Sequence, residues 1–172
     1  AENDDRLGAV VRRATLEGAP VFEVTKLELE ALTQGAVHQG VAMEIAAYDY
    51  ADALELLDRV SATGRKPLFV ALDQVTDPHN LGAVLRSAGA FGADGVIIPQ
   101  RRSADVNATV WKVSAGAAAR VPVAKETNLV RTLEAFKARG CFVVGLDGNA
   151  SVSVDNLNLA DQPLVLVTGA EG

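Results

Sequence analysis

The chain has 172 residues, of which 49% are hydrophobic and 22% charged, a composition typical of a globular protein rather than of a disordered chain. No apolar run approaches the roughly 20 residues of a membrane span, so the sequence predicts no membrane helix. The single cysteine excludes an internal disulfide and favours a reducing compartment, for which we expect the cytoplasm.

The net charge of −6 argues against a nucleic-acid partner, but the charge is unevenly distributed. All nine Lys and Arg of residues 67–172 lie between Arg86 and Arg139, where only four Asp and Glu accompany them. A local excess of positive charge can attract a polyanion even on an acidic protein. Charge alone leaves two interpretations equally open, an RNA-facing surface and scattered surface charge.

The first third of the chain predicts alternating short helices and strands. Apolar residues at helical spacing indicate a helix over residues 6–17, and Thr25-Lys-Leu-Glu28 matches a capping box that begins a second helix ending near Thr33. Short apolar runs predict strands at 20–24 and 41–45. A third helix is predicted over roughly Tyr50–Val60, and the small polar residues after it indicate that residues 49–66 form a linker between two units.

After Pro67 the pattern becomes regular, with apolar strand-like runs separated by helical segments. Such alternation indicates an α/β fold with a mainly parallel sheet flanked by helices. A proline within the third run places that strand at an edge of the sheet, because proline lacks the amide hydrogen of a ladder donor. The predicted strands are 68–72, 95–98, 121–123, 141–144 and 164–167, and the predicted helices are 80–91, 107–115 and 128–138.

The segments that follow the predicted strands are the first place to look for a binding site, because open α/β sheets bind ligands beyond the carboxyl ends of their strands. Two of them, Gly145–Gly148 and Thr168–Gly172, are short turns in which glycine permits close approach of a ligand to the backbone. The helix after the first strand carries Arg86 among apolar residues. An arginine packed in such a helix needs either a carboxylate partner, Asp73 or Asp77, or a polyanionic ligand.

Two motifs resemble the signature sequences of the SpoU/TrmH (SPOUT) family of RNA 2′-O-ribose methyltransferases. Asn80-Leu-Gly-Ala-Val-Leu-Arg-Ser-Ala88 resembles the first motif, and Leu164-Val-Leu-Val-Thr-Gly-Ala-Glu-Gly172 resembles the opening of the second. His38-Gln-Gly-Val41 and Asp77-Pro-His-Asn80 are similar to the bacterial branch that methylates a guanosine ribose in 23S rRNA. The resemblance implies a partial L30e-like RNA-binding domain over residues 1–48 and a methyltransferase domain over residues 67–172.

The resemblance also implies roles for individual residues. Arg86 matches the arginine that acts on the ribose 2′-hydroxyl, Asn80 matches an asparagine near the substrate, and Glu171 matches the acid of the second motif. Because arginine is a poor base, we expect Arg86 to stabilise the developing alkoxide charge. Three further positions match backbone that lies beside the S-adenosylmethionine cofactor, namely Gly145, Leu146 and Gly169.

The family's third motif, which forms a C-terminal knot and supplies much of the cofactor pocket and dimer surface, is absent from these 172 residues. We therefore expect this chain to end before the knot, to bind S-adenosylmethionine poorly and to be inactive by itself. The resemblance implies a homodimer for the full-length protein. We expect no metal, because the leaving group of methyl transfer departs neutral and two histidines and one cysteine are too few for a typical zinc site.

Several other residues have a functional and a structural interpretation each. Arg101 and Arg102 follow a strand end, and they either contact RNA phosphates or lie in a solvated loop. His38 either contacts RNA or stabilises a turn in the small domain. Trp111 is expected in the core or an interface rather than stacked on a base, and Cys141 is expected to be a buried, inert thiol.

Three alternatives to a 23S rRNA methyltransferase stay open at this point. The same chemistry could act on tRNA, or on an rRNA nucleotide whose methylation confers antibiotic resistance. The chain could instead be a non-catalytic fragment for RNA binding or dimerisation, which the absence of the third motif favours. The last alternative is an unrelated nucleotide-binding α/β domain, and it is disfavoured because such a domain has no need of Arg86.

Overall fold

A computed structural model describes the backbone of residues 2–169 and the side chains of residues 5–169. The chain divides between Ala47 and Tyr48 into two compact units. Within the described part of the chain, no helix combines the length and the apolar character that crossing a membrane requires.

The first unit contains two helices, α1 (Glu2–Leu16) and α2 (Lys26–Leu32), close to the two predicted there. The capping box predicted at the start of α2 is confirmed. The Thr25 amide donates to a carboxylate oxygen of Glu28 at 2.7 Å, and the Glu28 amide donates to the Thr25 hydroxyl at 3.3 Å. These reciprocal bonds satisfy two of the backbone donors that a helix leaves free at its start.

The strands predicted at 20–24 and 41–45 are wrong. Both segments are irregular, and no strand pairing occurs between described residues of the first unit. A strand exists only where a neighbour accepts its backbone hydrogen bonds, so an apolar run of strand-like composition does not form one alone. Phe22 and Met43, which a sheet would be expected to bury on one face, are exposed.

The second unit is built around a five-stranded sheet in which every neighbouring pair of strands is parallel. The predicted parallel α/β fold is therefore confirmed. In chain order the strands are β1 (Leu68–Asp73), β2 (Gly95–Pro99), β3 (Val123–Glu126), β4 (Phe142–Leu146) and β5 (Leu164–Gly169). They lie side by side in the order β3-β2-β1-β5-β4.

Four helices flank this sheet, and their apolar residues form a core on each of its faces. One core joins α3 and α6 to the sheet, with the Phe69 and Phe136 rings edge to face at 5.2 Å. The other joins α4 and α5 to the sheet through residues such as Leu81, Leu85 and Val110. The helices are α3 (Ala53–Ser61), α4 (Pro78–Ala90), α5 (Ala108–Val113) and α6 (Leu129–Ala138).

Residues 49–66, predicted as a linker, belong to the second unit instead. Half of this segment is α3, whose Ala53, Leu56 and Leu57 are buried against the sheet. Before the helix, the Ala51 amide donates to the Val123 carbonyl at 2.9 Å and so extends the sheet beyond β3. The linker prediction rested on the small polar residues that follow the helix, and it missed the buried face of the helix itself.

The sheet is covered unevenly on the face that carries α4 and α5. Residues paired in register across parallel strands point to the same face, so Leu72, Thr168 and Leu146 share it. Leu72 in β1 is 1% exposed, whereas Leu146 and Phe142 in β4 are 45% and 48% exposed. The β1–β3 half of this face is therefore packed, and the β4–β5 half is open over the described residues.

Candidate active site

The carboxyl ends of β1, β5 and β4 lie next to one another, at the place where the strand order reverses. Register pairs Asp73 with Gly169, and Leu146 with Thr168. The three residues predicted to lie beside the cofactor, Gly145, Leu146 and Gly169, are thus brought to one edge of the sheet. Ligands of open α/β sheets bind at such reversal points.

A cavity of about 460 Å³ opens beyond the end of β4. Its wall includes Gly145, Leu146 and Asp147, and Val154 and Leu157 from the loop that follows. A Cβ atom placed on Gly145 would meet no heavy atom within 4 Å, so the backbone there faces open space. The volume falls within the roughly 300–1,000 Å³ range of small-molecule sites.

The predicted acid of the second motif, Glu171, lies outside the described residues. Gly169 is the last residue described and is exposed at the end of β5. A Cβ atom placed on it would lie 4.0 Å from the Asp73 carbonyl oxygen, an ordinary contact. This distance shows how closely the ends of β1 and β5 approach each other.

Helix α4 begins directly after the β1 loop, two residues earlier than predicted, because Asp77 caps it. The Asp77 carboxylate accepts a hydrogen bond from the His79 amide at 2.8 Å and lies 3.1 Å from His79 Nδ1. The bond from the backbone amide is the main reason that the pKa of Asp77 is lowered. Asn80 follows in the first turn and is exposed, which leaves its amide group accessible to a ligand.

Arg86 is exposed, so the expectation that it is packed within an apolar helix is wrong. Among residues 5–169, no hydrogen bond or ion pair engages its side chain. Neither candidate carboxylate pairs with it, since Asp77 is engaged with His79 and Asp73 is exposed at the end of β1. The guanidinium group is therefore available to an anion from outside the described chain.

Asn80 and Arg86 lie on different stripes of α4, as their six-residue separation predicts. Asn80 shares a stripe with Ser87, seven residues on, whereas Arg86 shares a stripe with His79. All four side chains are exposed. The outer surface of α4 is thus polar over two adjoining stripes, while Leu81, Leu85 and Ala88 anchor its inner surface in the core.

Gly82 is a residue of the first motif whose structural role the sequence did not indicate. A Cβ atom placed on it would lie 2.7 Å from Val113 Cβ, so only glycine allows α4 and α5 to pack this closely. Gly89, seven residues on, faces Ala117 in a short 3-10 helix that follows α5. Small residues at this spacing on an apolar helix were the available signal.

Arg101 and Arg102 lie in the loop after β2, and both are exposed. Arg102 has a left-handed backbone, with a φ of 58° that is uncommon outside glycine. Beside them the Ser103 hydroxyl donates to the Pro99 carbonyl, and the Ala104 amide donates to the Val75 carbonyl at 2.9 Å. The loop after β2 is thereby joined to the loop after β1 at the carboxyl edge of the sheet.

His38 lies in the first unit and is half-buried. Its Nδ1 accepts a hydrogen bond from the Gly40 amide at 3.0 Å, and its carbonyl accepts one from the Val41 amide at 3.1 Å. These bonds close the turn that the structural interpretation predicted. Nε2 takes no part in them, so contact of His38 with RNA stays a prediction.

The two residues expected to be structural are so placed. Trp111 packs against the core beneath α4, with its ring 6.1 Å from that of Tyr48. Cys141 is buried, and burial raises the pKa of its thiol. A thiol with a raised pKa is a weaker nucleophile near neutral pH, because less of it is ionised.

Residues 67–172 match the family model described as the SpoU rRNA methylase family. The chain belongs to this family. Residues 1–51 match a second model, described as the substrate-binding domain of RNA 2′-O-ribose methyltransferases. This second match ends at residue 51, within a few residues of the division between the two compact units, which lies between Ala47 and Tyr48.

Curated relatives are found in mycobacteria, where they are named uncharacterized tRNA/rRNA methyltransferases. One from Mycobacterium avium is 49% identical over 172 residues, which are 99% of this chain and 55% of the relative. One from Mycobacterium bovis is 46% identical over 172 residues, which are 99% of this chain and 52% of the relative. The chain thus spans about half the length of the curated relatives it matches.

Solved structures share the fold. An AdoMet-bound rRNA methyltransferase from Sinorhizobium meliloti superposes with a TM-score of 0.68 at 22% identity, covering 95% of this chain and 60% of that one. The SpoU methyltransferase AviRb from Streptomyces viridochromogenes, in complex with AdoMet, has a TM-score of 0.62 at 24% identity, covering 87% of this chain and 63% of that one. A putative RNA methyltransferase of the TrmH family from Porphyromonas gingivalis gives 0.50 at 36% identity over 62% and 43%.

Proposed function

We propose that the protein transfers a methyl group from S-adenosylmethionine to a ribose 2′-hydroxyl of RNA, with a guanosine of 23S rRNA as the target. The observation that carries this proposal is Arg86, an exposed arginine of the first motif that no described carboxylate engages. The names of the matching family models support RNA as the substrate. We further propose that the full-length protein acts as a cytoplasmic homodimer.

The cavity beyond β4 supports S-adenosylmethionine as the cofactor. Its wall combines the open backbone at Gly145 with apolar residues such as Leu146 and Leu157 and the acidic Asp147, which suit an adenosine with a charged tail. The two AdoMet-bound neighbours have this fold. When bound, the cofactor supplies a methyl group on a sulfonium, whose sulfur leaves as a neutral thioether.

The remaining demands of the reaction fall on the protein's own residues. The ribose oxygen must be aligned with the methyl carbon and must lose its proton as the new bond forms. Arg86 stays protonated at every relevant pH, so it does not take the proton. It stabilises the alkoxide charge that develops on the 2′-oxygen, and its second nitrogen holds a neighbouring RNA phosphate, which takes the proton. Asn80, at the start of the same helix, orients the nucleotide.

RNA binding draws on exposed positive charge in the second unit. Besides Arg86, the side chains of Arg101 and Arg102 are exposed and form no ion pair with any described residue. Lys137 and Arg139, by contrast, are paired with Glu134 and Asp58. The first unit, with His38 in its closed turn, supplies the substrate-binding part as an L30e-like domain.

The test compares Arg86→Ala with Arg131→Ala, a matched control on α6. Both side chains are exposed arginines without an ion pair among the described residues. Methyl transfer to rRNA is measured for the chain and for a version extended at its C terminus through the third motif. In the extended version we expect Arg86→Ala to lower the rate by about 10²–10³, the usual cost of removing one group that stabilises an oxyanion.

Arg131→Ala should leave the rate within a factor of about two, because it removes only one distant charge from the surface. We expect the chain of 172 residues to bind the cofactor poorly and to transfer no methyl group. If the extended version methylates no RNA, or if both variants lose activity equally, the proposed function is wrong. If the short chain binds the cofactor tightly, the expectation of an incomplete pocket is wrong.

A further inference from the structure

A cluster of aromatic and charged side chains lies beside the arginine loop, which we define as residues 100–107, and the proposed reaction does not use it. Tyr48 and Tyr50 come from the segment before α3, Lys125 comes from the edge strand β3, and Asp105 belongs to the loop itself. None of these four residues stood out in the sequence. Their contacts join three parts of the chain that lie far apart in sequence.

Tyr50 is the centre of the cluster. Its hydroxyl accepts a hydrogen bond from the Val106 amide at 3.0 Å and donates one to the Asp105 carboxylate at 3.2 Å. The Lys125 ammonium group donates to the same carboxylate oxygen and lies 4.9 Å from the centre of the Tyr50 ring. The Tyr50 hydroxyl therefore holds the end of the arginine loop at two points, the backbone amide of Val106 and the side chain of Asp105.

The Tyr50 ring is itself held in place by its neighbours. Tyr48 packs edge to face against it at 5.1 Å, and the Tyr48 hydroxyl accepts a hydrogen bond from the Val123 amide at 3.1 Å. Partial burial raises the pKa of both phenols, so both stay protonated and able to donate. A ring with little freedom positions its hydroxyl group precisely, because χ1 and χ2 are fixed by packing.

The arginine loop is fixed at both ends, and its middle is held by the bonds of Ser103 and Ala104. At its start the Gln100 amide donates to the Glu126 carbonyl at 2.8 Å, and at its end Val106 and Asp105 are held by Tyr50. Between these points Arg101 and Arg102 extend into solvent without an ion pair to any described residue. A loop fixed in this way presents its two guanidinium groups at little further entropic cost on binding.

Lys125 also determines which cation pairs with the Asp105 carboxylate. Asp105 follows Arg102 by three residues, and its side chain is 64% exposed. Without Lys125, whose side chain is 23% exposed, that carboxylate would carry a negative charge with no cationic partner, three residues from Arg102. The hydrogen bond to Lys125 lowers the pKa of Asp105 and occupies it, which keeps the arginines available to phosphates.

We propose that Tyr50, Asp105 and Lys125 form a positioning network that holds the arginine loop in place for contact with RNA phosphates. The inference rests on the proposed function for its ligand, RNA. Tyr50 also falls within residues 1–51, which match the substrate-binding family model, although its contacts lie in the second unit. The network therefore ties the last residues of the substrate-binding match to the phosphate-contacting loop of the methyltransferase unit.

The experiment measures the affinity of the unaltered chain and of variants for a fluorescein-labelled RNA hairpin across a range of salt concentrations. Tyr50→Phe removes the hydroxyl and keeps the ring. Tyr48→Phe is the matched control, because it removes a similar phenol-to-backbone bond that does not hold the loop. Arg101→Ala/Arg102→Ala removes the two proposed contacts, and the triple variant adds Tyr50→Phe to that pair.

We expect Arg101→Ala/Arg102→Ala to weaken RNA binding about tenfold and to reduce the salt slope of log K by about 1–2, since each phosphate contact contributes slightly less than one. Tyr50→Phe should weaken binding about threefold and lower the slope in the same direction, because the loop is no longer preorganised. Tyr48→Phe should leave affinity unchanged. In the triple variant Tyr50→Phe should have no further effect, because it acts only through the arginines.

A second pair of variants tests whether Lys125 keeps the Asp105 carboxylate from weakening RNA binding. Lys125→Met should weaken RNA binding, and Asp105→Asn in the same chain should restore it, because the freed carboxylate is then neutral. Loss of packing alone would show no such rescue. Thermal unfolding of each variant confirms that it is folded at the temperature of the binding assay.

The inference is overturned if Tyr50→Phe weakens binding equally in the presence and absence of the arginines, or if the unaltered chain binds no RNA at low salt. It is also overturned if Arg101→Ala/Arg102→Ala leaves the affinity unchanged. These outcomes are independent of methyl transfer. A chain that binds RNA through this loop while its extended version methylates nothing would refute the proposed function and leave the network intact.

Discussion

The two halves of the sheet in the second unit differ in how they are covered by helices. They also carry different parts of the proposed site. The β1–β3 half is packed on both faces, and the elements that leave its carboxyl edge carry Asn80, Arg86 and the arginine loop. The β4–β5 half is packed on one face only, and its carboxyl edge offers glycine backbone and a cavity. Charged groups are thus held on rigid supports, while the proposed cofactor side consists of open backbone and apolar surface.

The largest expected effect is a difference in stability between alanine variants of two phenylalanines, one packed against the β1–β3 half of the sheet and one in the β4–β5 half. Phe136 is fully buried against Phe69, whereas Phe142 in β4 is 48% exposed on the open half. Phe136→Ala should lower the free energy of unfolding by about 3–5 kcal/mol, the usual cost of a large cavity in a core. Phe142→Ala should cost about 1 kcal/mol, because only part of an apolar side chain is lost from the interior.

Chemical denaturation of both variants measures this contrast. Equal losses of stability would mean that the β4–β5 half is as tightly packed in solution as the β1–β3 half. The comparison between the halves would then fail at its first step.

The second expected effect compares two glycine-to-alanine variants, each of which adds one methyl group to one half of the unit. In Gly82→Ala the new Cβ would lie 2.7 Å from Val113 Cβ, so α4 and α5 must separate, and we expect a loss of about 1–3 kcal/mol. In Gly145→Ala the new Cβ meets nothing within 4 Å, so the melting temperature should hardly change. The same methyl group should weaken S-adenosylmethionine binding in the extended version, because it occupies the space where the cofactor's backbone contact is proposed.

Thermal unfolding and calorimetric titration with the cofactor together decide this prediction. A Gly145→Ala variant that is destabilised yet binds the cofactor normally would show that this glycine serves the fold. Such a result would remove the main support for the cofactor side of the site.

The smallest expected effect is a pH dependence within the packed half. The hydrogen bond from Lys125 lowers the pKa of Asp105 in the folded protein below its ordinary value, which is about 3.9. A lowered folded pKa stabilises the protein above the unfolded pKa, and that stability is lost as the pH falls through the folded value. Asp105→Asn should therefore flatten the acid side of the stability curve below about pH 4.

The same bond raises the pKa of Lys125. Its contribution is present below the unfolded pKa of about 10.4 and is lost as the pH rises through the higher folded value. Between these limits the unaltered chain and Asp105→Asn should differ by a constant amount. Melting temperatures recorded from acid to alkaline pH would contradict the prediction if the two curves stayed parallel throughout.

The sequence predicted every strand of the sheet to within a few residues, because strands buried on both faces are continuous apolar runs that end at glycine, proline or polar residues. It failed at residues 20–24 and 41–45, where equally apolar runs form no strand. The difference is a partner: Leu68 pairs with Leu164, nearly a hundred residues later, and local composition carries no information on such a pairing. The sequence did predict α3 as a helix, but the same limit concealed that one face of it packs against the sheet.

For the site, the sequence determined which residue types lie at the carboxyl ends of the strands, and the motif around Arg86 indicated the family that the match to known proteins confirmed. The tertiary structure decided the rest. It showed that Arg86 is exposed rather than paired, since solvent exposure depends on which stripe of α4 meets the core. It also brought Tyr50, Asp105 and Lys125 together, which are separated by tens of residues and meet only because β2 and β3 are neighbours in the sheet.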